Sequence, residues 1–425
     1  MINLSNENKV LLKNYSSLTI LQIANYIFPL ISFPYLVRVL GPEKYGLVNF
    51  VIAFATYFSM FTDYGFNISA TQSIAINRDN ETELRKIFWT VFFTKFLLLA
   101  IASFVFFSLV FLIGKFSSYS TFYVFAYLTV VGAMFFPQWF FQGTEKMHYI
   151  TEITVLVKTF WLAGVFFLIR SPNDAADLVL LNGLSVLIIG VLGFVTAIKS
   201  FEIKFYLPHF SELISLLKKG KYVFLSTASI SLYTNSNVFI LGLIAGNEAA
   251  GYFAAADKIR IAIQGLFNNA ATAVFPRVSR LFNESLEKVK KFLDKYLLII
   301  WIAGILVSIF GFLFSQEIID LLLGEKYVAS VGIFKVLAFL PLIIVLSNFY
   351  GIQIMLNKGF DKEFLRIVFS AGLINILLAV IFSSLYGAIG SAVAVLIAEI
   401  FVTLSMWFFV ENKHLLKNQE RQIEQ

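Results

Sequence analysis

The chain has 425 residues, of which 59% are hydrophobic and only 14% charged, and its mean hydropathy is +0.81. A water-soluble core cannot hide that much apolar surface, so the composition excludes a soluble globular protein and predicts an integral membrane protein. There are no cysteines, which excludes disulfide bonds and thiolate chemistry. The net charge of +7 does not indicate a nucleic-acid partner, because the basic residues lie mostly in short loops between apolar runs.

Apolar runs long enough to cross a membrane as helices follow one another along the whole chain. A crossing needs about 20 residues at about 1.5 Å each. The runs are continuous and do not alternate, so the sequence predicts an all-α protein with 12 transmembrane helices. They lie at about 16–37, 46–68, 88–113, 119–141, 148–169, 177–198, 221–244, 250–275, 296–314, 330–355, 364–384 and 387–410. The polar N-terminus leads into a full-length first run, which predicts a retained span and not a cleaved signal peptide.

Lysine and arginine are unevenly distributed between the loops on the two sides of the predicted spans. One set of loops, which includes 199–221 and 277–295, holds most of them. The opposite set holds only Arg38, Lys44, Lys115, Arg170 and Lys326. Because cytoplasmic loops carry the excess of positive charge, we expect both termini in the cytoplasm.

A short segment of the first half returns in the second. Leu40–Leu47, LGPEKYGL, aligns without a gap to Ala245–Tyr252, AGNEAAGY, with both glycines and the glutamate in register. Chance recurrence of Gly-x-Glu turns is the alternative, but a duplicated half is favoured. Six spans per half predict two six-helix lobes in the same orientation, with a central cavity. The predicted lobes are 1–198 and 221–425, joined by a cytoplasmic amphipathic linker at 199–220.

Charged residues deep in apolar runs are the candidate functional residues, since each costs about 2.5 to 3.5 kcal/mol on insertion scales and should face protein or water. The bases exceed the acids, which predicts a hydrated cationic cavity and an anionic substrate. The candidate substrate-binding bases are Arg38, Lys95, Lys158, Lys258, Arg260 and Lys335. The alternative is that these side chains snorkel or form pairs within the bundle, as Asp257 and Arg260, three residues apart on one helix, are placed to do.

Acidic side chains in the same runs are candidates for exchanging H⁺ or Na⁺ during transport, since a desolvated carboxylate changes its charge readily. They are Asp63, Glu152, Asp257 and Glu399. Amides such as Asn25, Gln264, Asn268 and Asn269 suit sugar hydroxyls. We find no nucleotide motif, metal-ligand set or cofactor motif, and no external loop long enough for an enzyme site, so we predict a transporter without catalytic residues.

The run from Pro34 to Ala75 contains an LGPxxYG turn, a DYGF helix end and an SATxxIA segment in that order. With FFPQWFFQG at Phe135–Gly143 and AGYFAAADKI at Ala250–Ile259, it resembles the Wzx-type O-antigen and polysaccharide flippases, a family of the multidrug/oligosaccharidyl-lipid/polysaccharide exporter superfamily. The likeness covers essentially the whole chain. Within it, Arg38, Lys258 and Arg260 lie on the first and eighth spans, which border the cavity in this fold.

The resemblance implies a MATE-like fold and a flippase of the bacterial cytoplasmic membrane. Such proteins move undecaprenyl-diphosphate-linked oligosaccharides from the inner to the outer leaflet, driven by an ion gradient. The implied partners are the lipid-linked oligosaccharide, membrane lipid, H⁺ or Na⁺, a polysaccharide polymerase and a chain-length regulator. A drug or cation exporter of the same fold is an alternative that predicts an acidic cavity. A membrane-embedded polymerase is a second alternative, which predicts a large external loop.

Overall fold

A computed structural model describes residues 6–416, and their regular secondary structure is helical, with no β-strand among them. The chain folds into two compact units. The first comprises Met1–Leu40 with Val48–Ser231, and the second comprises Gly41–Leu47 with Leu232–Gln425. The all-α fold predicted from the continuous apolar runs is therefore the observed one.

The first unit contains most of α1 and the next seven helices, together with the start of α9. In the described residues these are α1 (Asn6–Asp63), α2 (Phe66–Ile76), α3 (Glu81–Leu112), α4 (Gly114–Ser117), α5 (Ser120–Phe135), α6 (Gln138–Gly143), α7 (His148–Leu168), α8 (Ala175–Ser200) and α9 (Phe210–Ile244). Asn80 caps α3 by accepting a hydrogen bond from the Glu83 backbone amide (3.2 Å). Phe88, Trp139 and Phe140 belong to a buried aromatic core that joins these helices.

The second unit contains the rest of α9 and the helices that follow it. These are α10 (Asn247–Glu284), α11 (Leu286–Leu313), α12 (Ser315–Leu322), α13 (Ala329–Leu337), α14 (Leu340–Asn348) and α15 (Asp361–Asn412), with a π-helical segment at Phe349–Met355. Val289, Leu293 and Met355 lie in its buried core. The tenth apolar run thus consists of α13, α14 and the π-helical segment, and is not one regular helix.

The two repeated glycine turns have the same backbone conformation, as a duplication predicts. Gly41 has φ 71° and ψ 171°, and Gly246 has φ 91° and ψ 174°. An L side chain rarely adopts a positive φ, which accounts for glycine at both positions. Within the second unit the turns also pack on each other: a Cβ added to Gly46 would collide with the Asn247 carbonyl oxygen, and one added to Gly251 would collide with the Pro42 carbonyl oxygen.

Eight helical stretches of the described chain are long and apolar enough to cross a membrane. Two of them, at Thr19–Ile76 (58 residues) and Asp361–Asn412 (52 residues), are longer than one crossing needs, and glycines with positive φ at Gly41 and Gly387 interrupt them. Helices α9 and α10 fall outside the eight because their sequences are more polar. The chain is thus a multi-pass membrane protein, while the number of twelve crossings stays a prediction.

The amphipathic segment predicted as a linker continues into the seventh apolar run. Both belong to the single helix α9, which begins at Phe210 and ends at Ile244. Glu212, in its first turn, forms an ion pair with Lys86 of α3 (3.0 Å) and accepts hydrogen bonds from Tyr206 and the His209 amide. Burial opposes ionisation of Glu212, but these hydrogen bonds outweigh it and lower the pKa of the carboxyl. The lobe boundaries predicted from the repeat remain a proposal.

Candidate functional site

Asp63 and Lys95, predicted for different roles, form a buried ion pair in the first unit. Lys95 Nζ lies 3.3 Å from Asp63 Oδ1 and donates a hydrogen bond to the Ala133 carbonyl oxygen (2.9 Å). Only 2% of the Lys95 side chain is exposed, compared with 25% for Asp63. The amine therefore links α1, α3 and α5, and in this conformation it is not open to a ligand.

Asp63 occupies the last position of α1, where the chain breaks before α2. The break consists of Tyr64 and Gly65, with φ values of 49° and 74°, both in the left-handed region. Tyr64 stacks on Phe224 of α9, with ring centroids 4.4 Å apart and planes at 5°. The C-terminal end of a helix carries a partial negative charge, which disfavours a carboxylate there. The Lys95 ammonium compensates both this partial charge and the charge of the Asp63 carboxylate. Asn67, in the first turn of α2, also donates to Asp63 Oδ2 (3.1 Å).

The remaining candidates of the first unit lie apart from this pair. Lys158 Nζ, on α7, donates to Asn25 Oδ1 of α1 (2.6 Å). Arg38, near the glycine turn, and Glu152, on α7, have exposed side chains. Lys158 and Asn25 together thus provide one polar contact between the first and fifth apolar runs.

In the second unit, α10 carries three charged candidates side by side. Arg260 donates through Nε to Asp257 Oδ1 (2.8 Å), and its Nη2 lies 2.6 Å from the same oxygen. Both side chains are mostly buried, so the local pairing considered from their spacing is the one observed. Lys258, about 100° around the helix, is exposed and forms no ion pair or hydrogen bond within residues 6–416. Among the three charged candidates of α10, it is the exposed one.

The last two candidates lie elsewhere in the second unit. Lys335, on α13, is exposed, and its Nζ lies 5.7 Å from the centroid of the Phe312 ring, a cation–π contact. Glu399, on α15, is buried at 9% exposure. The structure thus brings together Asp63 with Lys95 and Asp257 with Arg260.

Sequence reasoning missed the partner of Lys95 and an amide of α14, Asn348. Asp63 and Lys95 lie on two different helices. The hydrophobic periodicity of one helix does not show which other helix it contacts, so it could not predict this pair. Asn348 lies in SNFYGIQ, a short polar interruption of an apolar run, and that interruption was the available signal.

The sequence of the chain matches a known protein family. The family described as "Polysaccharide biosynthesis protein" matches residues 11–282, more than half of the sequence. The chain belongs to this family. The resemblance that the LGPxxYG and DYGF motifs indicated is confirmed by this match.

This polysaccharide biosynthesis protein also has relatives of nearly its own length. It is 34% identical to the "Putative O-antigen transporter" of Escherichia coli K12 over 412 residues, which cover 97% of this chain and 99% of the relative. A protein of Shigella dysenteriae with the same name is 30% identical over 93% of this chain and 98% of its own length.

Solved structures identify the fold of this polysaccharide biosynthesis protein. The "Lipid II flippase MurJ, inward closed conformation" is similar over 96% of this chain and 89% of its own, with a TM-score of 0.70 and 17% identity. An inward-facing multidrug resistance MATE family transporter of the MOP superfamily covers 95% of this chain and 99% of its own, with a TM-score of 0.65 and 17% identity. The MATE-like membrane fold predicted from the sequence is confirmed.

Proposed function

We propose that the protein is a flippase, which moves a lipid-linked oligosaccharide for a surface polysaccharide from the inner to the outer leaflet of the bacterial cytoplasmic membrane by alternating access. The observation that carries this proposal is the 34% identity to the Escherichia coli protein named for O-antigen transport, over nearly the full length of both chains. The fold similarity to a lipid II flippase is consistent with it. We place both termini in the cytoplasm, on the basis of the lysine and arginine distribution.

The cargo of such a flippase carries a diphosphate, and Lys258 is the residue we assign to it. Its side chain is exposed while its neighbour Arg260 is held by Asp257. At an effective dielectric constant near 20, two unit charges 4 Å apart attract by about 4 kcal/mol, which offsets much of the cost of leaving the lipid surface. Arg38, Lys158 and Lys335 complete the proposed cationic lining, and Lys95 joins it only if its pair with Asp63 opens.

The proposed ion coupling rests on the carboxylates. Protonation of Asp63 would remove the negative charge that holds the Lys95 amine. Proton binding to Asp63 and exposure of the Lys95 amine would therefore be linked. Asp257 holds Arg260 in the same manner. Glu152 and Glu399 remain candidates for H⁺ or Na⁺ exchange. A polysaccharide polymerase and a chain-length regulator would use the product on the outer face.

Deleting the gene tests the function directly. Without a flippase, single lipid-linked repeat units accumulate on the cytoplasmic face of the membrane, and surface polysaccharide is lost. The measurement is digestion or labelling of the lipid-linked sugars in sealed inside-out and right-side-out vesicles. Accumulation on the outer face would contradict the proposal, because that result is expected of a missing polymerase.

Replacing Lys258 by Ala tests the proposed cargo contact. We expect surface polysaccharide to fall by about tenfold or more, since one charge-assisted contact contributes about 1.5 to 3 kcal/mol. Lys326→Ala, which removes an exposed lysine of a loop, is the matched control and should leave the polysaccharide unchanged. Surface polysaccharide is compared at equal amounts of each variant in the membrane. A Lys258→Ala strain with normal polysaccharide would remove this residue from the site.

A further inference from the structure

Three side-chain amides form a cluster in the second unit, where α10 meets the end of α14. Asn268 Oδ1 accepts hydrogen bonds from Gln264 Nε2 (3.2 Å) and from Asn348 Nδ2 (3.1 Å). Gln264 and Asn268 are four residues apart and share one face of α10, while Asn348 is the last residue of α14. We call these three residues the amide cluster.

The amide cluster leaves both donors and acceptors without a protein partner. Gln264 is only 4% exposed, and its Oε1 accepts no hydrogen bond. Within residues 6–416, the Nδ2 group of Asn268 has no acceptor and Asn348 Oδ1 has no donor. A buried amide oxygen without a partner costs about 1 to 3 kcal/mol, so the cluster is built for partners that the chain itself does not provide.

The surroundings of the cluster exclude lipid as that partner. Asn268 is exposed and lies in the middle of α10, a helix too polar to be among the apolar stretches. In hydrocarbon each unsatisfied amide group costs several kcal/mol, so this face meets water or a ligand. The π-helical segment Phe349–Met355 follows Asn348 directly, and its buried Gln353 donates to the Ala271 carbonyl oxygen of α10 (2.8 Å). π-Helical turns are frequent at functional sites, and this one fixes the cluster against α10.

We infer that the amide cluster binds hydroxyl groups of the carbohydrate part of the cargo. A sugar hydroxyl donates and accepts, as the open groups require. A phosphate only accepts, so it cannot donate to the Asn348 oxygen or to the buried Gln264 oxygen, and the Asn268 amide N–H group disfavours a metal cation. Lys258, ten residues before Asn268, lies about 15 Å away along α10, so one helix offers separate positions for diphosphate and sugar. This inference rests on the proposed function.

Binding of two lipids to the purified full-length protein tests the inference. One is sugar-free undecaprenyl diphosphate, and the other is the lipid-linked oligosaccharide extracted from cells that lack the gene. We expect the wild type to bind the sugar-bearing lipid more tightly. Asn268→Ala and Asn348→Ala should each raise its Kd by about fivefold to tenfold, because each removes hydrogen bonds to the sugar. The Kd for undecaprenyl diphosphate should not change.

Asn357→Ala is the matched control, because its amide bonds only to the Gln353 backbone oxygen of the preceding turn (3.0 Å). The Asn357→Ala variant should bind both lipids with the wild-type Kd values. The melting temperature of each variant shows whether it is folded. If the wild type binds both lipids equally, or if both cluster variants keep the wild-type preference, the inference is overturned and the proposed function stands. If the wild type binds neither lipid, the proposed function fails and the inference fails with it.

Discussion

At the scale of single residues, the pair of Asp63 and Lys95 matters for stability, because the Lys95 charge is fully buried and the Asp63 side chain is only 25% exposed. Removing one partner of a buried pair leaves the other uncompensated, which typically destabilises by about 3 to 5 kcal/mol. We therefore expect Lys95→Met and Asp63→Asn to lower the melting temperature of the detergent-purified protein strongly. The double variant should recover most of the loss, since it leaves no unpaired charge.

The control for this pair is an exposed one in the same unit. Arg78 Nη1 lies 3.2 Å from Glu145 Oε1, with side-chain exposures of 51% and 46%. Exposed pairs contribute about 0 to 1 kcal/mol, so Glu145→Gln should hardly change the melting temperature. Additive losses in the double variant of Asp63 and Lys95 would contradict the assignment of a coupled pair.

At this scale the sequence could anticipate a local contact, and it offered the pair of Asp257 and Arg260 as the alternative to a cavity lining. Asp257 and Arg260 lie one helical turn apart, so their spacing alone identifies them as possible partners. Lys95 was singled out by its depth and Asp63 as an acid near the end of the second apolar run, and the sequence assigned them separate roles. Their contact depends on how α1 and α3 pack, and hydrophobic periodicity gives the buried face of a helix but not the neighbour it meets.

At the scale of helices, the close approach of the two glycine turns determines which side chains the repeat tolerates. A Cβ at Gly251 would collide with the Pro42 carbonyl oxygen and approach the Gly46 amide nitrogen, and backbone atoms cannot move aside as a side chain can. We expect Gly251→Ala to destabilise by about 1 to 3 kcal/mol, as overpacking does. The melting temperature of the purified protein measures this.

Gly114→Ala is the matched control, since a Cβ there would meet no atom within 4 Å. Gly114 begins the short helix α4, so the substitution changes the same side chain without a collision. Equal melting temperatures for Gly251→Ala and wild type would mean that the two turns do not pack as closely as the structure has them.

Helix positions followed from hydropathy, but helix breaks did not. The apolar run at 46–68 continues beyond Asp63, yet the helix ends there because Tyr64 and Gly65 adopt left-handed conformations, and only the DYGF motif indicated this end. The π-helical segment after α14 begins within the short polar interruption SNFYGIQ, but hydropathy does not show that the interruption forms a π-helical turn. Backbone geometry at such points is decided by packing, which composition does not report.

At the scale of the whole molecule, the sequence determines the class of fold because the hydrophobic effect acts on every helix in the same way. The apolar runs alone predict an all-α membrane protein, and the similarity to solved structures confirms a MATE-like fold. Helices α9 and α10 are the more polar exceptions. Helix α10 carries Asp257, Lys258, Arg260 and the amides, and these same residues keep it out of the set of clearly apolar spans.

The orientation of the two halves can be tested because the chain has no cysteine, so each introduced thiol is the only one. An even number of crossings per half predicts that Asn173→Cys and Lys326→Cys, one from each half, both face outward. Ser211→Cys and Glu287→Cys should both face the cytoplasm. All four positions are exposed. A membrane-impermeant maleimide should therefore label the first two in intact spheroplasts and the second two only after lysis, while the cysteine-free parent stays unlabelled.

If the halves were inverted relative to each other, Lys326→Cys would be protected and Glu287→Cys labelled in intact cells, because the second half would then enter the membrane in the opposite direction.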